Sequence, residues 1–242
     1  MNGAPGRLEG RIALITGASR GIGAAVAKAF ATEGAEVILT GRTQGGLEEV
    51  DDAIRSMGRT AVLFPSDLTD FEMIDQMALA IHQRFQRLDI LVGNAGTLGS
   101  LTPMHHIEPP QWDEVMAINL TANWRLVRAF DPLLRLSSAG RALFVTSGAA
   151  DGCHPFWGSY AVSKGGLEIM ARTWATELEN TSVRINLINP GGTRTAMRAE
   201  AFPGEDPETL PTPEEIAQSF IPLVEAACTR NGETINARDM LA

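Results

Sequence analysis

A glycine-rich turn between a strand and a helix constrains the fold of this chain more than any other feature. Residues 11–16 form a short apolar run typical of a buried strand, and Gly17, Gly21 and Gly23 follow it directly. Gly17 would allow a tight turn, Gly21 a close approach of the backbone to a pyrophosphate, and Gly23 close packing of the helix that runs to about Glu33. The spacing predicts a phosphate-binding turn, and a merely flexible loop is the alternative.

Strand and helix patterns alternate along the chain after this turn. Helices are predicted at about 44–57, 71–85, 110–136 and 160–179, and strands at 36–40, 60–64, 89–92, 142–146, 183–188 and 234–236. Such alternation favours a parallel sheet that is covered by helices and binds ligands at the carboxyl ends of its strands. We therefore expect an α/β fold, a Rossmann-like doubly wound parallel sheet of about seven strands with helices on both faces, built as a single domain over residues 1–242.

An arginine stands where many dinucleotide-binding proteins place a carboxylate. Gly41, Arg42 and Thr43 follow the second predicted strand, at the position where an acidic residue would bind the ribose 2′-hydroxyl of NAD. Arg42 suits a 2′-phosphate instead, and Arg20 in the glycine turn is a candidate second ligand. The pattern predicts NADP(H) in preference to NAD(H), and solvated surface arginines are the alternative. Asp67, after the third strand, is either an adenine contact or a helix cap.

Tyr160 and Lys164 are spaced for shared chemistry. Side chains four residues apart on a helix project from the same face, so a phenol and an ammonium group would enter one space. A nearby cation favours the phenolate, which eases proton exchange with a substrate oxygen. Tyr160 is also the only tyrosine in the chain. The pair predicts acid/base catalysis, and two exposed helix residues without a function are the alternative.

Composition and charge argue against several other classes of function. The net charge is -9 and Lys and Arg are scattered, so no basic surface for nucleic acid is indicated. Cys153, Cys228 and the four histidines lack the spacing of metal ligands, so no metal is expected. Residues 1–9 contain no apolar signal core, and no later stretch has the length and hydropathy of a membrane span. These features predict a cytoplasmic protein that does not bind membranes.

Four separated motifs together resemble the short-chain dehydrogenase/reductase family in its single-domain form. They occur in the family's order and cover roughly residues 8 to 236. The motifs are Thr16-Gly-x-x-x-Gly-x-Gly23, Asn94-Ala-Gly96, Ser147 with Tyr160-x-x-x-Lys164, and Pro190-Gly191 followed by Thr195. One departure is Gly93, which stands where the family often has a second asparagine, and we expect this change to alter a hydrogen bond in the turn.

The resemblance implies a role for each matching residue. Tyr160 would be the catalytic acid/base, Lys164 would lower its pKa and hold the nicotinamide ribose, Ser147 would position the substrate carbonyl, and Asn119 would support a proton-relay water. The patterns and the resemblance together predict these cofactor contacts: Gly17, Ser19, Arg20, Gly21, Ile22, Gly23, Arg42, Thr43, Asp67, Leu68, Asn94, Ala95, Gly96, Tyr160, Lys164, Pro190, Gly191, Thr193 and Thr195.

The implied function is transfer of a hydride between NADP(H) and a small-molecule carbonyl compound or secondary alcohol. A 3-oxoacyl-thioester (acyl carrier protein) reductase is an alternative with the same catalytic residues, and a non-catalytic dinucleotide-sensing protein is an alternative from another class. Residues 192–203 resemble a group of bacterial short-chain oxidoreductases whose substrate is unassigned, so the resemblance names no substrate.

Two further expectations concern the surface. Residues 192–213 carry four prolines and few apolar side chains, which predicts a mobile substrate lid with a short helix at 195–202; an ordered surface excursion is the alternative. Because Arg194 and Arg198 lie in this segment, a substrate that carries an anionic group is a further alternative. The helical stretches 112–130 and 167–178 are apolar enough to predict a homodimer or homotetramer, since the family pairs these helices across a two-fold axis.

Overall fold

The computed structural model describes residues 6–152 and 154–241. Two expectations concern residues outside this range: that Cys153 is not a metal ligand, and that the first residues of the chain contain no signal core. A single sheet of seven strands runs in the order β3-β2-β1-β4-β5-β6-β7, and every neighbouring pair is parallel. The strands are β1 (Ile12–Thr16), β2 (Glu36–Gly41), β3 (Val62–Pro65), β4 (Ile90–Gly93), β5 (Arg141–Val145), β6 (Arg184–Asn189) and β7 (Thr234–Asn236). The predicted Rossmann-like sheet is confirmed.

Helices cover both faces of the sheet, and the central strands are therefore buried on both sides. One face packs against α1 (Gly21–Thr32), α2 (Gln44–Ser56), α8 (Pro213–Gln218) and α9 (Ile221–Val224). The other face packs against α3 (Phe71–Phe85), α5 (Ala122–Arg135) and α6 (Gly158–Glu177). The remaining helices are α4 (Pro109–Met116), which precedes α5, and α7 (Ala196–Ala201), which lies over the carboxyl edge of the sheet.

The strand order reverses between β1 and β4, and hydrogen bonds tie the ends of these two strands together. The Thr16 hydroxyl donates to the carbonyl oxygen of Val92 and accepts from the backbone N–H groups of Asn94 and Ala95. The Asn94 side-chain amide donates to the carbonyl oxygens of Thr16, at 2.8 Å, and Gly17, at 3.2 Å. Ligands of open α/β sheets bind where the strand order reverses. We therefore look for the functional site beside these hydrogen bonds, at the carboxyl ends of β1 and β4.

The structure departs from the predicted elements in two places. The helix predicted at 110–136 is interrupted by a π-helical turn at Ala117–Thr121, which separates α4 from α5. A π turn inserts one residue into the helical repeat, and hydrophobic spacing does not reveal it. The sequence analysis also assigned no helices to 213–224, where the short α8 and α9 lie. Strand limits agree with prediction to within two residues. No helix in the described part of the chain is long and apolar enough to cross a membrane.

Candidate active site

A cleft of about 940 Å³ opens along the carboxyl ends of the strands. This volume is at the upper end of the range of about 300–1,000 Å³ that is usual for cofactor and small-molecule sites. Every catalytic or cofactor residue predicted from the sequence lines the cleft except Gly23 and Asn119, which lie behind its wall. The sequence motifs therefore converge on one site, although their individual roles remain predictions.

Two glycines of the turn, Gly17 and Gly23, have no room for a side chain. Gly17 has a φ of +62°, and a Cβ atom there would lie 2.9 Å from the Cα of Ala95. A Cβ on Gly23 would lie 2.3 Å from the carbonyl oxygen of Gly17, so Gly23 permits close packing of α1 on the turn, as its spacing predicted. The turn leads directly into the N-terminus of α1, where backbone N–H groups and the helix dipole favour an anion. These residues fit a dinucleotide pyrophosphate.

Two exposed arginines flank the end of the cleft beside the glycine turn. Arg20 is the N-cap residue of α1, and Arg42 follows β2. Within the described residues neither guanidinium has a carboxylate within 4 Å. Both side chains are thus available to an anionic ligand. Asp67 lines the cleft as well, and its Oδ1 accepts hydrogen bonds from the backbone and hydroxyl of Thr69, so it stabilises a turn at the same position.

Tyr160, Ser147 and Lys164 converge at the other end of the cleft. Tyr160 lies in the first turn of α6 and is 8% exposed, and the Ser147 side chain is near enough to its phenol to lower the pKa of that group. Ser147 follows β5, and its Oγ also accepts from the backbone N–H of Ala149 at 3.2 Å. Lys164 lies one turn further along α6, and its ammonium group donates to the carbonyl oxygen of Val145 at 2.8 Å. A buried phenol, a hydroxyl and a cation thus face one space.

Burial shifts the pKa values of Tyr160 and Lys164 in opposite directions. It raises the pKa of Tyr160 above its ordinary value, and the Ser147 hydroxyl offsets this only in part. The Lys164 nitrogen is 5.8 Å from the centre of the tyrosine ring and is directed to Val145. Burial also lowers the pKa of Lys164 to about 8. In this structure the phenol therefore keeps its proton at neutral pH, the state that a general acid requires.

Asn119 is buried behind the cleft, within the π-helical turn. Its side-chain oxygen accepts from the backbone N–H of Thr97, and its amide donates to the carbonyl oxygen of Thr97 and to the Ser163 hydroxyl. Ser163 in turn donates to the carbonyl oxygen of Tyr160. Asn119 therefore connects the loop after β4 to α6 and supports the position of Tyr160. Its predicted relay of protons through a water remains a hypothesis.

The space beside Gly93 explains the departure from the family pattern. A Cβ atom on Gly93 would lie 2.4 Å from the Phe144 ring and 2.6 Å from Oδ1 of Asn123. Asn123, which the sequence analysis missed, donates its amide to the carbonyl oxygen of Asn119 at 2.8 Å. An asparagine from α5 thus reaches the space next to residue 93. No local signal identifies Asn123, because it approaches from a helix thirty positions later in the sequence.

Several residues of the segment predicted as a lid line the cleft. Met197, Arg198, Ala201 and Phe202 all line it, together with Trp157. Among the described residues, no group of three or more His, Cys, Asp or Glu side chains is placed to hold a metal ion.

The strand order and the glycine turn define a Rossmann-like α/β protein with a cleft for a nucleotide cofactor. The family described as short chain dehydrogenase matches residues 11–206, and this chain belongs to that family. It is 41% identical over 235 residues to the uncharacterized oxidoreductase YciK of Escherichia coli K12, covering 96% of this chain and 93% of that one. It is 31% identical over 224 residues to the 3-oxoacyl-[acyl-carrier-protein] reductase FabG of Thermotoga maritima, covering 89% and 90%.

A solved structure of an Escherichia coli CFT073 protein in complex with NADPH has the same fold. Its TM-score is 0.93 at 40% sequence identity, and the match covers 98% of this chain and 100% of that one. The protein is thus an oxidoreductase of the short-chain dehydrogenase family, whose members use nicotinamide dinucleotides.

The two perturbed groups predict how a carbonyl reduction catalysed at this site would depend on pH. Rising pH removes the proton from Lys164 at about 8, whereas the raised pKa of Tyr160 keeps the phenol protonated there. We expect kcat/KM for reduction to be constant from about pH 6 to about pH 7.5 and to fall through about pH 8 as the cation is lost. The dissociation constant of NADPH, measured over the same range, separates loss of binding from loss of chemistry. A rate that rises through pH 8 would show that the phenolate is the active form.

Proposed function

We propose that this protein is an NADPH-dependent carbonyl reductase, or in reverse an alcohol dehydrogenase. The observation that supports this most directly is the convergence of the Tyr160 phenol, the Ser147 hydroxyl and the Lys164 ammonium group at one end of a dinucleotide-sized cleft. A protein that only senses a dinucleotide has no need of an acid and a hydroxyl donor beyond the cofactor. A substrate carbonyl beside both hydroxyl groups would meet the donors that carbonyl reduction requires.

Bound NADPH supplies the hydride that reduces the carbonyl carbon. The residues of the chain stabilise and then neutralise the negative charge that develops on the carbonyl oxygen. Ser147 donates a hydrogen bond to the carbonyl oxygen and fixes its position. Tyr160 transfers its phenolic proton to the same oxygen, so the alcohol leaves neutral and a phenolate remains. Lys164 stabilises that phenolate with its charge until solvent restores the proton, and its hydrogen bond to Val145 keeps the ammonium group in place.

A 3-oxoacyl-thioester reductase is the second candidate, and the 31% identical Thermotoga maritima relative of that name is the observation that favours it. The proton-transfer residues would be the same in both cases. Only the acyl substrate distinguishes them, so acetoacetyl thioesters belong in the substrate panel.

Isotope transfer tests the proposed reaction. Purified protein is mixed with NADPH carrying two deuterium atoms at C4 and with benzaldehyde, acetophenone, hexanal or an acetoacetyl thioester. We expect an alcohol about one mass unit heavier than the product made with ordinary NADPH, because hydride moves directly to the carbonyl carbon. Reduction without deuterium in the product, or no reduction of any member of the panel, would contradict the proposal.

We propose that NADPH is preferred over NADH and that Arg42 and Arg20 are the cause. A charge-assisted hydrogen bond to a phosphate contributes roughly 1.5–3 kcal/mol, so one such bond gives at least about a tenfold preference. Arg42→Asp is expected to abolish or reverse this preference in Kd for the two cofactors. Arg128→Asp, which changes an exposed arginine of α5 outside the cleft lining, is the control and keeps the preference. Equal Kd values for both cofactors in the unaltered protein would refute this assignment.

We also propose that the chain acts as one domain in which residues 192–213 are the substrate lid. Support comes from Met197 and Ala201 of α7 and from Phe202 directly after it, which line the cleft. Thr195 adds to this, because its methyl group is 3.6 Å from the Cβ position of Gly21. The lid segment thus begins next to the glycine turn. Amide hydrogen exchange in residues 193–213 should slow when NADPH and a carbonyl compound are added together; the same exchange with and without them would favour a static segment.

We propose that the protein forms a homodimer or homotetramer, although fewer apolar side chains support this than the sequence indicated. Phe130, Leu167, Trp174 and Leu178 lie in the core of the chain itself, so they are not available to a partner. Trp124 and Ile169 are 46% and 68% exposed on α5 and α6, and these two side chains carry the proposal. Sedimentation of only a 25.9 kDa species at micromolar concentration would contradict it.

A further inference from the structure

The substrate end of the cleft is walled by aromatic rings. The rings of Tyr160 and Trp157 meet edge to face with centres 5.7 Å apart, and the ring of Phe202 lies 5.8 Å from that of Trp157. Leu98 and Ala149 are buried beside Tyr160, and Ala201 of α7 packs against the same cluster. A flat apolar group next to the reacting carbonyl would therefore contact rings and methyl groups, which favour aromatic and aliphatic carbon.

The cation nearest to this wall already has an internal partner. The guanidinium carbon of Arg198 lies 3.7 Å from the centre of the Phe202 ring. The same guanidinium donates to both carboxylate oxygens of Glu205, at 2.6 and 2.7 Å, and it holds the pKa of Glu205 below its ordinary value. Bidentate pairs of this kind are the most directional ion pairs that arginine forms. Glu205 therefore occupies one edge of the Arg198 guanidinium and balances its charge, which weakens the attraction of Arg198 for a substrate carboxylate.

The other arginine of the lid that lines the cleft, Arg194, is also paired with a carboxylate, although less completely. It donates to Glu208 at 3.0 Å and to the carbonyl oxygen of Leu210, while its Nε has no hydrogen-bond partner among the described residues. His154, at the mouth, lies 3.6 Å from Asp151. An anionic substrate would compete with these carboxylates for the arginines, whereas an uncharged substrate would leave every pair intact.

We propose, on the basis of the reductase function above, that the substrate is an uncharged carbonyl compound whose flat apolar group packs against Trp157 and Phe202, and that Glu205 excludes anionic analogues by binding Arg198. The pairing leaves Arg198 stacked on Phe202, so the same contact also keeps that ring at the edge of the cleft. The charge pattern of the lid thus selects against carboxylates, and its aromatic wall selects for planar apolar groups.

Matched pairs of substrates test the charge selection. The probes are benzaldehyde with 4-carboxybenzaldehyde, and acetophenone with 4-acetylbenzoate, each with NADPH. In the unaltered protein kcat/KM should favour the neutral member by at least about tenfold. Glu205→Gln should raise the ratio of carboxylated to neutral kcat/KM by at least about fivefold, because Arg198 loses its carboxylate. Glu200→Gln removes an equal charge from α7 at an exposed position outside the cleft lining, and it should leave the ratio within about twofold.

A second pair of variants tests the aromatic wall. Phe202→Leu should lower kcat/KM for benzaldehyde relative to hexanal by at least about fivefold, because it removes a ring contact and keeps an apolar side chain. Phe156→Leu is the control, since Phe156 is 57% exposed and lies outside the cleft lining. Calorimetry of benzamide and 4-carbamoylbenzoate with the NADP⁺-loaded protein gives a readout that does not depend on turnover. We expect tighter binding of benzamide.

The outcomes separate this inference from the function on which it rests. Turnover or binding that favours the carboxylated member, or a ratio that Glu205→Gln leaves unchanged, would overturn the substrate assignment while the reductase function stands. An equal effect of Phe202→Leu and Phe156→Leu would contradict the proposed contact between the substrate and the Phe202 ring. No oxidation of NADPH by any of these carbonyl compounds or by an acetoacetyl thioester would contradict the reductase function itself, and the substrate assignment would fall with it.

Discussion

The hydrogen bond from the buried ammonium group of Lys164 to the carbonyl oxygen of Val145 is the interaction on which the catalytic geometry depends. Burying a charge is unfavourable unless the charge is hydrogen-bonded, so this contact fixes where α6 meets the end of β5. Tyr160 lies one helical turn before Lys164, and Ser147 lies two residues after Val145. One contact therefore sets the positions of the phenol, the hydroxyl and the cation relative to one another.

A second set of hydrogen bonds joins this end of the cleft to the phosphate end. Thr16 and Asn94 connect the glycine turn to the loop after β4, and Asn119 connects the continuation of that loop to α6 through Thr97 and Ser163. These contacts connect the glycine turn to the backbone of Tyr160 through residues of the protein alone. Rigid placement of this kind is what brings a bound cofactor and an acid within reach of one substrate atom.

The fold and most of the residues that line the cleft could be predicted from the sequence because the patterns that indicate them are local. Strand periodicity, the glycine spacing and the four-residue interval between Tyr160 and Lys164 each depend on near neighbours. The π-helical turn at Asn119, the approach of Asn123 to Gly93 and the pairing of Arg198 with Glu205 depend on tertiary packing, so no pattern predicted them. Spacing alone also does not include burial, which raises the pKa of Tyr160 above its ordinary value.

The central claim is that the Tyr160 phenol donates the proton in carbonyl reduction, and Tyr160→Phe tests it most directly. Phenylalanine keeps the ring that packs 5.7 Å from Trp157 and removes only the transferable proton. The measurement is kcat for the carbonyl compound that the unaltered protein reduces fastest, with the Kd of NADPH determined on the same preparation. We predict a loss in kcat of about 10²–10⁴-fold with Kd changed by less than about threefold. A variant that retains kcat within about threefold of the unaltered protein, with NADPH bound, would contradict the account.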